Sequence, residues 1–467
     1  MDTSIGVNYF KGKRVTVMGL GLLGRGIGDA AFIAEAGARE VIVTDLKTRE
    51  QLAEAMVTLE HYPNITFVLG EHRLVDFENR DLILVAAGVP TDSVYLAHAR
   101  AAGVRLVQSA ALFAELSKIP IIGVTGTRGK STVTHMIHHV LSVTTGEPIL
   151  LGGNIRGVSN LQLLKSVTPD SLCVMELDSW QLQGWGWAGI SPTVAVFTTF
   201  MEDHLNYYER GGLTRDEAMA AYFADKAQIF LHQEESGTFI TTPAVFEWVK
   251  LVLPKETLGQ EIILADTSVL PEDMLLSMPG EHNRLNAALA YEALKATGLT
   301  DEEIFEGLAS FPGVEGRLQL VATVNLPAQA GNIRIYNDNN ATTPQATVAA
   351  LAALDQGNQN IILIAGGADK NIEVTELAYA ITTHCKSLFL IPGSGTDNLL
   401  SYLHGGDLGV SVLSDLTTAF NEAIRMAMAG DIILFSPAFA SFSQYKNEYE
   451  RNDEFMALVR QLQNKAD

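Results

Sequence analysis

What this chain has little of sets its first limits. Two cysteines in 467 residues, Cys173 and Cys385, cannot make a disulfide framework, and both lie in apolar or mixed runs that suit small buried side chains better than reactive thiols. Basic residues are scarce: 32 Lys and Arg stand against 54 Asp and Glu, a formal net charge of −22. That balance excludes a general nucleic-acid-binding surface and leaves any anionic ligand to the few basic residues set in glycine-rich loops. No apolar run is long enough to span a bilayer, since even Val15–Ala38 is broken by Arg25, Asp29 and Glu35. The start, Met1-Asp2-Thr3-Ser4, leads into Lys11, Lys13 and Arg14 without the apolar core of a signal segment. A cytoplasmic protein with neither membrane nor nucleic-acid partners is expected. The chain shows neither an internal repeat nor a low-complexity tract.

The length predicts about two to three domains. With 47% hydrophobic and 18% charged residues, the composition fits a globular enzyme rather than a disordered or fibrous chain. The predicted fold class is α/β in three domains: a Rossmann-like domain over 1–118, a central P-loop-type domain over 119–312, and a Rossmann-like C-terminal domain over 313–467. In the first, Arg14–Met18, Glu40–Thr44, Asp81–Ala86 and Val104–Gln108 read as parallel strands alternating with helices. In the third, strand-like runs are Ile333–Asn337, Ile361–Ala365, Ser387–Ile391 and Asp431–Phe435. The middle section reads as irregular beyond its opening unit. Linkers are expected at Leu116–Pro120 and Phe311–Gly316.

That opening unit is the strongest signal. The apolar run Ile119–Ile122 is followed by Gly123-Val124-Thr125-Gly126-Thr127-Arg128-Gly129-Lys130-Ser131-Thr132. Val133, Met136, Ile137, Val140 and Leu141 then recur along one helical face. Strand, glycine-rich turn, Lys-Ser and helix form a phosphate cradle: backbone N–H groups face the anion, the lysine neutralises it, and the hydroxyl reaches Mg²⁺. Val124 occupies a position where the strict pattern has glycine. A second glycine turn, Gly19-Leu20-Gly21-Leu22-Leu23-Gly24, follows the first strand, and Asp45 comes about 20 residues later, where it can meet a ribose hydroxyl. Alone, this turn predicts a dinucleotide; glycines that only close a tight turn would look the same.

Metal-binding candidates share the middle section. Glu176 ends the run Ser171–Met175, and Glu202-Asp203-His204 follows a strand as a loop able to hold a second metal or orient a phosphate. Lys226 reads simply as a helical lysine among aromatics, Trp180, Trp185 and Trp187 as packing, and His135, His138 and His139 as the solvated face of the phosphate-loop helix.

Taken in order, these motifs resemble the Mur ligase family over nearly the whole chain. The series runs through the GLGLLG turn, TGTRGKST, Glu176-Leu177-Asp178-Ser179-Trp180-Gln181-Leu182, Glu202-Asp203-His204 and Lys226. It continues with Gly280-Glu281-His282-Asn283, Arg317, Asn337-Asp338-Asn339-Asn340-Ala341-Thr342, Gly366-Gly367-Ala368-Asp369-Lys370 and Ser436–Ser441. The resemblance implies an ATP-dependent, ADP-forming ligase that adds D-glutamate to UDP-N-acetylmuramoyl-L-alanine through an acyl phosphate, in peptidoglycan precursor synthesis. It turns the first glycine loop from a nicotinamide site into a UDP-sugar site, with Gly21, Leu22, Leu23, Asp45, Gly88 and Asn154 as contacts. It assigns ATP to Gly126, Thr127, Arg128, Gly129, Lys130, Ser131, Thr132, Asn283, Arg317 and Asp338, and the amino acid to Thr342, Lys370 and Ser441. Lys130, Glu176, His204 and Lys226 become catalytic, and Ser131, Glu176, His204 and Lys226 the ligands of two Mg²⁺ ions, Lys226 as a carbamate. The implied partners are small molecules and the expected state a monomer.

Two residues depart from the family pattern near the incoming amino acid. Asn340 replaces a lysine of the usual DSKAT motif, and Glu448 replaces an aromatic. Leu23 replaces a small polar residue in the glycine loop. A ligase for another amino acid, a folylpolyglutamate-synthase-like enzyme, a dehydrogenase built on GLGLLG and a non-catalytic nucleotide-binding homologue are the competing expectations. The Rossmann-like first section disfavours the folate reading, the P-loop and third domain disfavour the dehydrogenase, and the set of Lys130, Glu176, His204 and Lys226 disfavours the non-catalytic one.

Overall fold

Short runs of Val, Ile and Leu, too apolar to face water on either side, build three sheets. The computed structural model describes residues 8–20, 24–210, 212–253, 258–325, 331–355, 357–403 and 408–466. The first sheet contains β1 (Arg14–Met18), β2 (Glu40–Asp45), β3 (Ile65–Leu69), β4 (Leu82–Val85) and β5 (Arg105–Val107). Its order is β3-β2-β1-β4-β5 and every pairing is parallel.

The stretch expected to be irregular folds instead into a second parallel sheet. It comprises β6 (Ile121–Thr125), β7 (Ile149–Gly153), β8 (Leu172–Glu176), β9 (Val194–Phe197), β10 (Thr238–Thr241) and β11 (Glu261–Leu264). The order is β11-β10-β9-β6-β8-β7, so β8 and β9 flank the phosphate-loop strand β6. The sequence obscures β7 and β11 because both are sheet edges with half-exposed side chains, and β10 because its buried run is only Thr-Phe-Ile-Thr.

The third sheet is β12 (Gln319–Asn325), β13 (Asn332–Asn337), β14 (Ile361–Gly366), β15 (Cys385–Ile391), β16 (Gly409–Val412) and β17 (Ile432–Phe435), in the order β12-β13-β17-β14-β15-β16. Only β12 runs antiparallel to its neighbour. Alternation along β14 feeds both faces: Ile361, Leu363 and Ala365 join one core cluster, while Ile362 and Ile364 join the other. Each Ile or Leu side chain of this strand, wholly buried, contributes about 1.5–3 kcal/mol.

The chain forms two compact units. One comprises Met1–Pro271 with Asn286–Gly307 and holds the first two sheets; the other comprises Glu272–Leu285 with Leu308–Asp467 and holds the third. The helix Glu281–Lys295 crosses that division. Among the described residues no helix is long and apolar enough to cross a membrane.

Candidate active site

Strand β6 delivers its loop at the carboxyl edge of the second sheet, and the helix Lys130–Thr144 leaves from it. Val133, Met136, Ile137, Val140 and Leu141 are all buried beneath that helix, as their spacing requires. Two glycines make the loop possible. Gly126 has φ +143°, and a Cβ there would stand 2.0 Å from Thr198 Oγ1; Gly129 has φ +86°, and a Cβ there would stand 2.5 Å from Asn286 Oδ1. The loop is tied to the segment after β9. Thr127 N–H donates to Thr199 O at 2.7 Å, Arg128 N–H to Thr199 Oγ1 at 2.9 Å, and Met201 N–H to Thr127 Oγ1 at 3.1 Å. Arg128 also pairs with Asp203 at 3.1 Å.

Two lysines converge on this loop. Lys130 Nζ donates to Gly126 O at 2.9 Å and to Thr127 O at 3.2 Å, while Lys226 Nζ donates to the same Gly126 O at 2.8 Å. Lys226 is far from an ordinary helical lysine. It is 1% exposed and lies 4.8 Å from the centroid of the Tyr222 ring. Burial, and then the neighbouring Lys130 charge, push its amine well below the ordinary lysine range, against the opposing pull of Asp178, Asp203 and Asp225. Burial likewise raises the Asp225 carboxyl to about 6, although Gln183 and Tyr208 donate to it.

Glu176 ends β8 directly beside the loop strand, in register with Val124, and Ser131 opens the phosphate-loop helix. A carboxylate at a strand end and a hydroxyl in the first turn of the neighbouring helix are hard oxygen donors that fit Mg²⁺, with phosphate and water completing its shell. Among the described residues no group of three or more His, Cys, Asp or Glu side chains forms a metal cage by itself. His204 is held at φ +55°, its N–H donating to Asp203 Oδ1 at 2.9 Å. Burial lowers the His204 pKa, favouring the neutral ring that a metal ligand requires. Trp180, expected to be packing, has its ring 4.7 Å from that of His204.

At the rim of the first sheet, Asp45 ends β2 with both carboxylate oxygens on backbone: Oδ2 accepts from Leu20 N–H and Oδ1 from Lys47 N–H, each at 2.9 Å. It braces the glycine turn. Gly21, Leu22 and Leu23 themselves lie outside the described residues. Gly88, at φ +89°, faces the Trp180 indole, with an added Cβ 3.8 Å from the ring. Asn154 bridges outward and inward, donating to Glu176 Oε1 at 3.2 Å while accepting from Arg25. A cavity of about 140 Å³ opens between the ends of β1, β4 and β5, lined by Leu20, Arg25, Ala86, Gln108 and Gln181 among others. The first unit therefore places Gly88, Asn154, Glu176 and His204 around the start of one helix, Ser179–Ala188.

The second unit gathers its own set. Asp338 is buried, accepts from Leu318 N–H at 2.9 Å and Ser436 Oγ at 2.8 Å, and is raised to about 7 by desolvation. Arg317 supplies an opposing attraction to that carboxylate. Thr342, Lys370 and Ser441 follow β13, β14 and β17, three adjacent strands, and Lys370 Nζ donates to Thr342 Oγ1 at 3.0 Å. Asn340 folds over the turn before Arg317, its Nδ2 donating to Glu315 O at 3.3 Å. Asn283 donates to Pro279 O at 2.9 Å.

Several side chains around the phosphate loop escaped the sequence. Asn286, three residues beyond Asn283 on the same helix, is the residue that meets the phosphate loop in the first unit. The i, i+3 spacing from Asn283 was the available signal. Asp178 caps the helix Ser179–Ala188 in a capping box with Gln181 and acts on the charge of Lys226. The histidines of the phosphate-loop helix are half-buried rather than solvated. The edge strand β7 covers that face, and His138 Nε2 lies 3.3 Å from Ile149 O.

A model of the Mur ligase middle domain matches residues 124–252, and one of the Mur ligase glutamate ligase domain matches residues 316–439. The UDP-N-acetylmuramoylalanine–D-glutamate ligase of Roseiflexus sp. (strain RS-1) is 34% identical over 480 residues, spanning 96% of this chain and 98% of its own. The protein of the same name from Borreliella afzelii (strain PKo) is 31% identical over 472 residues, spanning 98% and 99%. The fold is similar to that of the UDP-N-acetylmuramate-alanine ligase MurC of Thermotoga maritima, with a TM-score of 0.59 at 18% identity over 97% of this chain and 100% of that one. Identity above 30% along almost the whole length, over a phosphate loop flanked by two parallel strand ends, makes the chain a member of the Mur ligase family.

Proposed function

We propose that the chain is an ATP-dependent acid–amino-acid ligase that joins D-glutamate to UDP-N-acetylmuramoyl-L-alanine, a step of peptidoglycan precursor synthesis. The observation that carries this reading is the meeting of Lys130 and Lys226 on one carbonyl of the phosphate loop. A simple nucleotide-binding loop has no use for a second, fully buried lysine. The choice of substrates follows the name borne by the full-length relatives.

In this reading residues 1–118 bind the UDP-sugar, with Gly21, Leu22, Leu23, Asp45, Gly88 and Asn154 as contacts. Residues 119–312 bind ATP through Gly126–Thr132 and Asn283, with Arg317 and Asp338 as further nucleotide contacts. Residues 313–467 bind D-glutamate through Thr342, Lys370 and Ser441. Ser131, Glu176, His204 and a carbamylated Lys226 would hold two Mg²⁺ ions, which would neutralise charge on the transferred phosphoryl group.

Lys226 reaches the carbamate because its depressed pKa leaves a free amine lone pair. That nitrogen attacks CO₂, the N–C bond forms, and one proton leaves to solvent. A carboxylate oxygen of the acceptor attacks the γ-phosphorus, the bond to the β–γ bridging oxygen breaks, and ADP departs. Lys130 and the loop N–H groups stabilise the charge gathering on the phosphoryl oxygens. The amine of D-glutamate then attacks the acyl carbonyl, phosphate leaves, and the nitrogen gives up a proton. Catalysis here consists of positioning and electrostatics. The protein acts as a monomer.

The test is phosphate release from ATP and Mg²⁺ with UDP-N-acetylmuramoyl-L-alanine and, in turn, D-Glu, L-Glu, D-Asp, L-Lys, meso-diaminopimelate or no amino acid. Release confined to D-Glu is expected. Release with another amino acid alone overturns the substrate, and ATP binding without release in any arm overturns the reaction.

A further inference from the structure

Arg451 lies in the helix Glu448–Ala466 and is 0% exposed. Burying a guanidinium is costly, and proteins normally offset that cost with a hydrogen-bonded carboxylate. Here all of its hydrogen bonds among the described residues go to neutral oxygens, and the Glu448 carboxylate, one turn earlier in the helix, attracts its charge without bonding to it. Nε donates to Asn339 Oδ1 at 2.8 Å, Nη2 to Asn339 O at 3.0 Å, and Nη1 to Phe439 O at 3.3 Å.

Those acceptors sit on two loops. Asn339 belongs to the turn that follows β13 and leads to Thr342, and Phe439 to the turn that follows β17 and leads to Ser441. The same loops are joined by Ala438 N–H to Ala341 O at 2.9 Å. The side-chain amide of Asn339 then reaches the Glu448 carbonyl at 2.9 Å, so helix, Arg451 and both loops form one hydrogen-bonded block. The loops carry two of the three residues assigned to the acidic amino acid, and at Asn340 they lack a cation of their own.

We infer that Arg451 is a positioning residue for the amino-acid substrate: it fixes the spacing of the Thr342 and Ser441 loops, and its charge, bonded to neutral oxygens, supplies the positive potential that a dicarboxylate needs and that Asn340 does not provide. The inference rests on the proposed assignment of an acidic amino acid to this unit. Asn339 belongs to the device, because an amide accepts from the guanidinium without cancelling its charge, whereas an aspartate there would cancel it.

The experiment compares wild type, Arg451→Lys, Arg451→Met and Asn339→Asp by steady-state kinetics with each substrate varied in turn, alongside thermal unfolding. Arg451→Met is expected to raise KM for D-Glu by about tenfold or more while KM for ATP and for the UDP-sugar stays within about twofold. Arg451→Lys recovers part of the loss. Asn339→Asp, which hands the guanidinium a counter-ion, raises KM for D-Glu without lowering the unfolding temperature, and it keeps the test decisive should Arg451→Met fail to fold. An unchanged KM for D-Glu in a folded variant, or a parallel rise in all three KM values, overturns the inference. Wild-type turnover of D-Glu in the same assay shows that the substrate assignment stands even when the inference falls. Wild-type turnover only with an amino acid lacking a side-chain carboxylate overturns both.

Discussion

At the scale of single residues, burial decides protonation, and protonation decides chemistry. Lys226 is 1% exposed and next to another lysine, so its free amine is the favoured form, and a free amine is what CO₂ reacts with. Ligase activity is therefore expected to fall in CO₂-depleted buffer and to return when bicarbonate is added. Lys226→Met should lose at least about a thousandfold in kcat, with no response to bicarbonate. Activity indifferent to CO₂ would count against the carbamate. Asp338 shows the same physics with the opposite charge. Its folded pKa, about 7, exceeds the ordinary aspartate value of 3.8, so between those values the native state binds a proton that the unfolded chain does not. The associated stability is fully present below about pH 4 and is lost as pH rises through about 7. It amounts to a few kcal/mol, on the order of 2–4. Urea midpoints of wild type should fall across that window, and those of Asp338→Asn should stay flatter.

Single elements owe their placement to close approaches that side chains would forbid. The phosphate loop docks on the segment after β9 so tightly that a methyl group at position 126 would overlap Thr198 and approach Thr199 N to 2.9 Å, on a backbone at φ +143°. Gly126→Ala is expected to cost about 1–3 kcal/mol from backbone strain alone and to abolish phosphate release. Thermal unfolding paired with an ATP-turnover assay checks both effects, and an active, equally stable variant would contradict the docking. Strands show how far elements are legible in sequence. β1, β4, β6, β8, β9, β14 and β17 are buried almost throughout and stand out as apolar runs. β3, β7, β11, β12 and β16 are sheet edges whose half-wet side chains blur the pattern, and all five are hard to see in the sequence.

For the whole molecule, two compact units predict separable unfolding. Calorimetry of the intact chain should resolve more than one transition. Mg²⁺-ATP should raise the transition of the unit holding the phosphate loop, by about 2.7 kcal/mol at a hundred times its Kd. A single transition with or without nucleotide would show that the units unfold together. The net charge of −22 belongs to this scale too. It repels anionic substrates from the general surface, so their capture depends on local cations such as Lys130, Lys370 and Arg451.

The sequence alone determined the α/β class, the phosphate loop, most buried strands and the family resemblance, because each rests on neighbours in the chain: a glycine beside a lysine, or an unbroken apolar run. It also marked Asn340 and Glu448 as departures. Tertiary structure alone decided that Lys226 shares the Gly126 carbonyl with Lys130, although the two lysines lie far apart along the chain. It alone put Trp180 against His204, Asn286 at the loop, and Arg451 beneath two distant turns. These are contacts between strand ends and helices remote in sequence, and their energies come from burial and shared hydrogen bonds. No local pattern of residues encodes either.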